Sequence, residues 1–239
     1  MRPGGGGRGR PRPGWNVARP IEQLAPEVFR LSGRPRDAIN VYLVADVLVD
    51  AATQLGHRRI LRQLGGRRIA AHALTHAHPD HYGSSHAVCE ALEVPLWCGA
   101  RDAYVAEGAR PAPGVGRGAG LLARMPLPHP HPVERRLEEG DEVAGFTVLD
   151  TPGHSPGHIS LWRESDRTLI CGDVFFNIHP LTARPGLREP PIRLTPDPAR
   201  NRASARRLGA LRPALVLFGH GPPLRDTERF AGFARSLPV

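Results

Sequence analysis

The sequence contains no lysine, and all 32 of its basic residues are arginine. The exclusive use of arginine indicates a bias in genome composition more than a surface evolved to bind nucleic acid, although the formal net charge is +9. Five of the arginines fall within residues 1–20, so the remaining basic excess is spread thinly. We therefore expect no nucleic-acid partner.

Long apolar runs and disulfide frameworks are also lacking. No stretch reaches the roughly 20 apolar residues of a membrane span, and the first residues lack the apolar core of a signal peptide. Cysteine is scarce, and Cys89, Cys98 and Cys171 are an odd number at wide spacings in apolar surroundings. This pattern is typical of buried free thiols in a reducing compartment. These absences predict a cytoplasmic protein with no membrane partner.

The length of 239 residues suits one large α/β or sandwich domain. Residues 1–20 are rich in glycine, arginine and proline and have little hydrophobic content. We predict that they form a disordered tail and that residues 21–239 form a single domain.

Beyond residue 26, short apolar runs alternate with amphipathic segments. We predict strands over 27–33, 39–46, 47–52, 68–76, 94–99, 142–150, 158–164, 168–176 and 214–220, and helices over 53–66, 84–93, 101–109, 197–211 and 225–237. The first helix is predicted from the spacing of Leu55, Ile60, Leu61 and Leu64. The segment 108–136 is rich in glycine and proline, which predicts a long surface loop.

Residues 75–83 read THAHPDHYG and concentrate side chains that bind metals. Three further histidine or aspartate residues each follow an apolar strand, and strand ends can gather such side chains at one edge of a sheet. Histidine with carboxylate suits zinc or iron, and a bridging carboxylate favours a two-metal site. We therefore predict seven metal ligands: His76, His78, Asp80, His81, His154, Asp173 and His220.

The order His-x-His-x-Asp-His, then Gly-His, Gly-Asp and Gly-His, resembles the metallo-β-lactamase superfamily over residues 21–239. The resemblance implies a four-layer αββα sandwich of the α/β (α+β) class, with metals in a cleft at one edge of two sheets. It implies one metal on His76, His78 and His154, and a second metal on Asp80, His81 and His220. It also implies that Asp173 bridges the two metals. Asp50 matches an acidic position near the site and is expected to contact the metal ligands without binding metal itself.

The implied cofactors are two divalent ions, zinc first and iron or manganese as alternatives. The implied chemistry is attack by a metal-bridging hydroxide, with Asp80 as the catalytic residue that orients the water and relays its proton. The sequence is most similar to the glyoxalase II-like branch, which predicts a small ester, thioester or lactone substrate. Oligomeric state stays open.

Three departures narrow the substrate. Asp173 stands where zinc β-lactamases of the major class carry a cysteine, which disfavours lactams. Only 19 residues follow His220, whereas glyoxalase II adds a glutathione-binding helical domain there. The superfamily's lactonases have a tyrosine shortly after the bridging aspartate, but this sequence has Val174, Phe175 and Phe176.

The segment 175–195 is the predicted substrate determinant. Asn177, His179 and Arg193 are its candidate substrate-binding residues, with stabilisation of the loop as an equal alternative for each.

Other histidines are interpreted without a role in chemistry. His129 and His131 are predicted to be solvent-exposed, as is His57, whereas structural roles are predicted for His72, His86 and His158.

Three other functions are weighed against the hydrolase. A mononuclear iron persulfide dioxygenase would need fewer ligands than the sequence retains. A nucleic-acid phosphodiesterase would carry an RNA-binding arm or inserted domain, and neither is found. A non-catalytic binding module would have lost ligands, and none is missing.

Overall fold

A computed structural model describes residues 21–33, 35–109 and 128–238. The predicted tail over residues 1–20 and most of the predicted loop over 108–136 lie outside these ranges. Within them, the chain forms two sheets in succession, one from each half of the sequence, and a short hairpin.

The first half forms a seven-stranded sheet in the order of the sequence. Its strands are β1 (Glu22–Ala25), β2 (Val28–Leu31), β3 (Val41–Val44), β4 (Val47–Val49), β5 (Ala71–Leu74), β6 (Leu96–Gly99) and β7 (Arg135–Leu137). The strands from β1 to β4 pair antiparallel, and those from β4 to β7 pair parallel. The helices of this half are α1 (His57–Leu64), α2 (Pro79–Tyr82), α3 (Ser85–Leu92) and α4 (Ala103–Ala106).

The second half forms a five-stranded sheet in the order β14-β11-β10-β9-β8. Its strands are β8 (Glu142–Val143), β9 (Phe146–Asp150), β10 (Ile159–Arg163), β11 (Thr168–Gly172) and β14 (Leu215–Phe218). Strands β12 (Phe176–Ile178) and β13 (Pro185–Arg188) form the separate hairpin. Helices α5 (Pro198–Ala210) and α6 (Thr227–Ser236) complete this half.

Both faces of each sheet are covered, because alternate residues of a strand enter different cores. Leu43 packs with Ile60 of α1 in one apolar cluster, while its neighbour Tyr42 packs with Phe146 of the second sheet in another. A third cluster joins the far face of the second sheet to α5 and α6. The predicted four-layer αββα sandwich is therefore confirmed.

The predicted helices all occur, and several elements are shorter than expected. The single strand predicted over 142–150 is wrong, because a turn at Ala144 and Gly145 divides it into the antiparallel strands β8 and β9. The strand predicted over 168–176 ends at Gly172, and Phe176 begins β12. The helix predicted over 53–66 begins as a 3-10 turn at Gln54–Gly56, so Leu55 is 85% exposed and does not share the helical face of Ile60 and Leu64. The helix ends as predicted at Gly65, whose φ of 60° is in the left-handed region.

Further corrections concern residues predicted to be in loops or in solvent. Strand β7 begins at Arg135, so the last two residues of the predicted loop over 108–136 belong to a strand. His131 is only 8% exposed, so its predicted solvent exposure is wrong, whereas His129 is exposed as predicted. His57 is half-buried because it begins α1, where its Nδ1 contacts the Gln54 carbonyl at 3.2 Å.

The three cysteines are buried and free, as predicted. Among the described helices, none has the length and hydropathy required to cross a membrane.

Candidate metal centre

The segment after β5 presents the first four candidate ligands. After β5 the chain bends at Thr75 and is extended again at His78, and the rings of His76 and His78 project to the same side. The chain then turns into α2, where the backbone amides of His81 and Tyr82 both donate to the His78 carbonyl, at 2.8 and 3.0 Å. This turn carries Asp80 and His81 toward the second sheet.

His76, His78 and His154 form a fully buried group of three imidazoles. His154 follows β9 of the second sheet. The Nδ1 atom of His78 lies 3.1 Å from His76 Nε2 and 2.9 Å from His154 Nε2. Three ring nitrogens thus converge on one point from segments 76 residues apart in sequence.

Asp80, His81 and His220 form the adjacent group. The Nε2 atoms of His81 and His220 are 3.3 Å apart, and Asp80 Oδ2 lies 3.4 Å from His220 Nε2. His220 follows β14, so this group also joins the two halves of the chain.

Asp173, which follows β11, lies between the two groups. Its Oδ2 atom is 3.8 Å from His76 Nε2, 3.4 Å from His154 Nε2, 3.4 Å from His81 Nε2 and 3.2 Å from His220 Nε2. One carboxylate oxygen therefore faces ligand atoms of both groups, which is the position that a bridging ligand requires.

The spacing of these donors fits divalent metals. In a tetrahedral site, metal–nitrogen bonds of about 2.0–2.1 Å place two ligand nitrogens about 3.4 Å apart. The observed nitrogen separations of 2.9 to 3.3 Å are close to that value. Asp173 Oδ1 is buried without a hydrogen-bond partner among the described residues, so it too is available to a cation.

The electrostatics of the site also favour a cation. Burial acts to raise the pKa values of Asp173 and Asp80, but His220 and His81 hold both below the usual aspartate range. Burial acts to lower the pKa of His220, but Asp173 and Asp80 raise it to about 10. The carboxylates are therefore negative at neutral pH and hold positive charge beside them, which is the charge that a metal ion supplies.

Four of the candidate ligand histidines are held in place through their other ring nitrogen. His81 Nδ1 contacts Asp50 Oδ2 at 2.9 Å, and Asp50 also accepts from the Thr75 amide at 2.8 Å. His76 Nδ1 contacts Thr75 Oγ1 at 3.1 Å, and His154 Nδ1 contacts Thr195 Oγ1 at 3.2 Å. His220 Nδ1 contacts the Ala38 carbonyl. Such partners set the tautomer and orientation of a metal-binding imidazole.

Asp102, the last residue of the turn between β6 and α4, was missed in the sequence. It is 1% exposed and accepts three hydrogen bonds: from the Ala77 amide at 3.1 Å, the Ser155 hydroxyl at 2.5 Å and the Gly157 amide at 2.6 Å. Burial raises the pKa of Asp102, while the Ser155 bond acts in the opposite direction. Because Ala77 separates His76 from His78 and Ser155 follows His154, one carboxylate holds both segments of the three-histidine group.

Gly219 allows Asp173 to reach the centre. A Cβ atom at position 219 would lie 2.0 Å from Asp173 Oδ1 and 2.7 Å from His81 Cε1. The glycine before His220 is therefore required by the close approach of two ligand segments.

The centre opens to solvent on the side of Asp80. The side chain of Asp80 is 21% exposed and that of His220 is 10% exposed, while the other five ligand residues are nearly fully buried. The Phe176 ring packs against His220 with ring centroids 4.3 Å apart and forms an apolar wall beside the opening.

The candidate substrate residues occupy different environments. Asn177 is buried, donates from Nδ2 to the Pro222 carbonyl at 2.8 Å, and its amide donates to the His220 carbonyl at 2.8 Å. His179 Nδ1 accepts from the amides of Leu181 and Thr182 within the hairpin turn. Arg193 is exposed. Their roles in substrate binding stay predictions.

The remaining buried histidines make polar contacts that fit structural roles. His158 Nε2 accepts from the Asp173 amide at 3.0 Å, which fixes the backbone of Asp173. His72 contacts the Leu48 carbonyl at 3.1 Å and Ser85 Oγ at 2.8 Å.

A buried array of histidine and aspartate at the edge of two packed sheets defines a class of metal-dependent enzyme. The chain belongs to the metallo-beta-lactamase superfamily, whose family model matches residues 34–220.

Two bacterial proteins, from Bacillus and Bdellovibrio, are similar in sequence to parts of this chain. The protein "Probable metallo-hydrolase YflN" of Bacillus subtilis is 31% identical over 176 residues, covering 66% of this chain and 67% of YflN. A hydroxyacylglutathione hydrolase of Bdellovibrio bacteriovorus is 28% identical over 114 residues, covering 46% of this chain and 36% of that enzyme.

A solved structure shows the same fold. The structure of TTHA1623 in a di-iron-bound form is similar with a TM-score of 0.55 and 31% identity, covering 86% of this chain and 93% of that one.

Proposed function

We propose that the chain is a dinuclear metal-dependent hydrolase that acts on a small ester, thioester or lactone. The observation that supports this proposal is the position of Asp173 Oδ2, which lies 3.2 to 3.8 Å from ligand nitrogens of both groups. Single-metal chemistry would need one group alone, whereas both groups are complete.

The two groups would hold different ions. His76, His78 and His154 would hold one, Asp80, His81 and His220 the other, and Asp173 would contact both. When bound, two divalent ions supply activated water at neutral pH and polarise the substrate oxygen.

Asp80 is the residue suited to proton transfer. It is the most exposed of the seven ligands and lies at the opening of the centre, where a substrate has access. Burial acts to raise the pKa of Asp80, but the effect of His220 and His81 is larger and holds this pKa below the usual range. Asp80 is therefore ionised at neutral pH and can accept a proton. Its place at the first turn of α2, after Pro79, fixes its direction.

The lining of the opening favours a substrate with an apolar portion next to a carbonyl. The ring of Phe176 packs beside His220, so this part of the opening is apolar and offers no hydrogen-bonding group. The similarity to a hydroxyacylglutathione hydrolase supports a thioester within this class. We propose a small-molecule substrate and no nucleic-acid or membrane partner.

Metal content and turnover test the proposal together. Protein purified without added metal or chelator is analysed for metal per chain and then assayed on a panel of thioesters, esters and lactones. We expect about two divalent ions per chain, as zinc, iron or manganese, and hydrolysis of at least one class. One iron per chain with oxygen consumption on a persulfide would overturn the hydrolase.

Variants connect turnover to the named residues. Asp80→Asn and His154→Ala should abolish hydrolysis while leaving the fold intact. Asp46→Asn and His57→Ala are matched controls, because Asp46 is exposed and His57 lies on α1 outside both groups. Normal hydrolysis by either Asp80→Asn or His154→Ala contradicts the proposed mechanism.

A further inference from the structure

A second cluster of metal-binding side chains lies apart from the seven ligands of the centre. His86 and Glu90 are on α3, four residues apart, so they share one face of the helix. His131 reaches this face from the segment that leads into β7, 45 residues away in sequence from His86. The three side chains come from two separate parts of the chain.

The donor atoms of this cluster converge. His86 Nδ1 and His131 Nδ1 are 3.2 Å apart, close to the roughly 3.4 Å between two nitrogens on one tetrahedral zinc ion. Glu90 Oε1 is 3.9 Å from His131 Nδ1, and the three ligand atoms all lie within 4.8 Å of one another. The side chain of Glu90 is 65% exposed and is free to adjust toward a cation.

His131 is held in place for this contact. It is 8% exposed, and its amide donates to the Ala106 carbonyl at 2.9 Å. Pro130 and Pro132 flank it and fix the backbone on both sides. Burial lowers the pKa of His131, which keeps the imidazole neutral and its lone pair available at neutral pH.

We propose that His86, Glu90 and His131 form a binding site for one divalent cation of the zinc class, which joins α3 to the segment 128–134. Two imidazoles and one carboxylate match the ligand set that zinc accepts, with a fourth position for water or for His129, whose ring centroid is 5.8 Å from that of His86. Because α3 directly follows α2, the ion would anchor the helix next to the catalytic segment. This site does not depend on the proposed hydrolysis.

Zinc counting by difference tests the site. The full-length protein, with its main centre loaded, is dialysed against micromolar zinc, and zinc per chain is measured by elemental analysis. We expect wild type to hold one equivalent more than His86→Ala and His131→Ala. The added zinc should raise the Tm of wild type, and this rise should be absent from both variants.

Further variants keep the test decisive. Glu90→Gln changes an exposed side chain. It should weaken the zinc affinity of the His86, Glu90 and His131 site about tenfold without affecting the fold. His57→Ala removes a histidine outside the cluster and should keep the extra equivalent. Hydrolysis should be unchanged in all four variants, which shows that the main centre is intact. Equal zinc content in wild type, His86→Ala and Glu90→Gln would overturn the site and leave His86 and His131 as a hydrogen-bonded pair.

Discussion

Replacement of Asp102 by asparagine should weaken metal binding at the three-histidine group although Asp102 contacts no ligand imidazole in that group. Asparagine keeps one oxygen, which can still accept from Ala77 and Ser155. Its amide group would then face the Gly157 amide, so two donors meet where a 2.6 Å hydrogen bond existed. The change removes one charged hydrogen bond and weakens two others.

The size of the effect follows from these contacts. A hydrogen bond to a charged group contributes about 1.5–3 kcal/mol, so Asp102→Asn should lower the free energy of unfolding by about 2–3 kcal/mol. Loss of a residue that orients metal ligands typically weakens metal affinity about 10–100-fold. Ser155→Ala removes only one of the three donors and should cost about 1.5 kcal/mol, with a smaller loss of metal affinity.

Competition with a chromophoric chelator measures the zinc affinity, and urea unfolding of the metal-free protein measures stability. Asp166→Asn is the matched control, because Asp166 bonds Arg163 through its carboxylate in a turn of the second sheet. This control should lose a little stability and no zinc affinity. If Asp102→Asn loses stability but binds zinc as wild type does, Asp102 supports the fold alone and does not position the ligands.

Four further outcomes are expected. Gly219→Ala should lose its metals by elemental analysis, because the new Cβ would lie 2.0 Å from Asp173 Oδ1 and displace it. Gly232→Ala on α6 should keep the metals, because the nearest atom to its new Cβ, Arg235 Nη2, is 4.0 Å away. Asn40→Ala removes donors to the carbonyls of Phe218 and Gly221 and should lower the free energy of unfolding by about 2 kcal/mol and reduce metal content. Burial lowers the pKa of His72 from 6.5 to about 4. The free energy of unfolding should therefore be at its full value above pH 6.5 and fall by about 3 kcal/mol toward pH 4. In urea unfolding, His72→Gln should show a smaller fall over the same pH range. Deletion of residues 1–20 should leave hydrolysis unchanged, and a large loss in the assay would contradict the predicted tail.

The central strands could be predicted from the sequence because they are apolar on both faces, whereas the two-sheet architecture was expected only from the resemblance of the ligand motifs to the metallo-β-lactamase superfamily. Strands such as β5 and β11 are buried along their whole length, and their composition alone predicts them. The edge strand β1 (EQLA) and the hairpin strand β13 (PGLR) were missed. They lack an apolar pattern because only part of each faces the protein, so their pairing depends on neighbours that a local pattern does not reveal.

The residues of the candidate centre could be predicted from the sequence where they directly follow an apolar strand. All seven predicted ligands lie together, and Asp50 contacts His81 as expected for a supporting residue. Asp102 follows β6 and could have been included by the same rule. Its partners Ala77 and Ser155, 25 and 53 residues away, could not have been identified, because their approach depends on how the two sheets pack.

The two halves of the chain each build one sheet, and residues 138–141 alone connect them. Neither half carries a complete metal group, since His76 and His78 need His154, and Asp80 and His81 need His220. The donors proposed for each metal therefore come together only after the halves have docked in the native register. If these groups bind metal as proposed, the metal content of a preparation measures whether the two halves have assembled correctly, because an unfolded or misfolded chain lacks a complete set of donors.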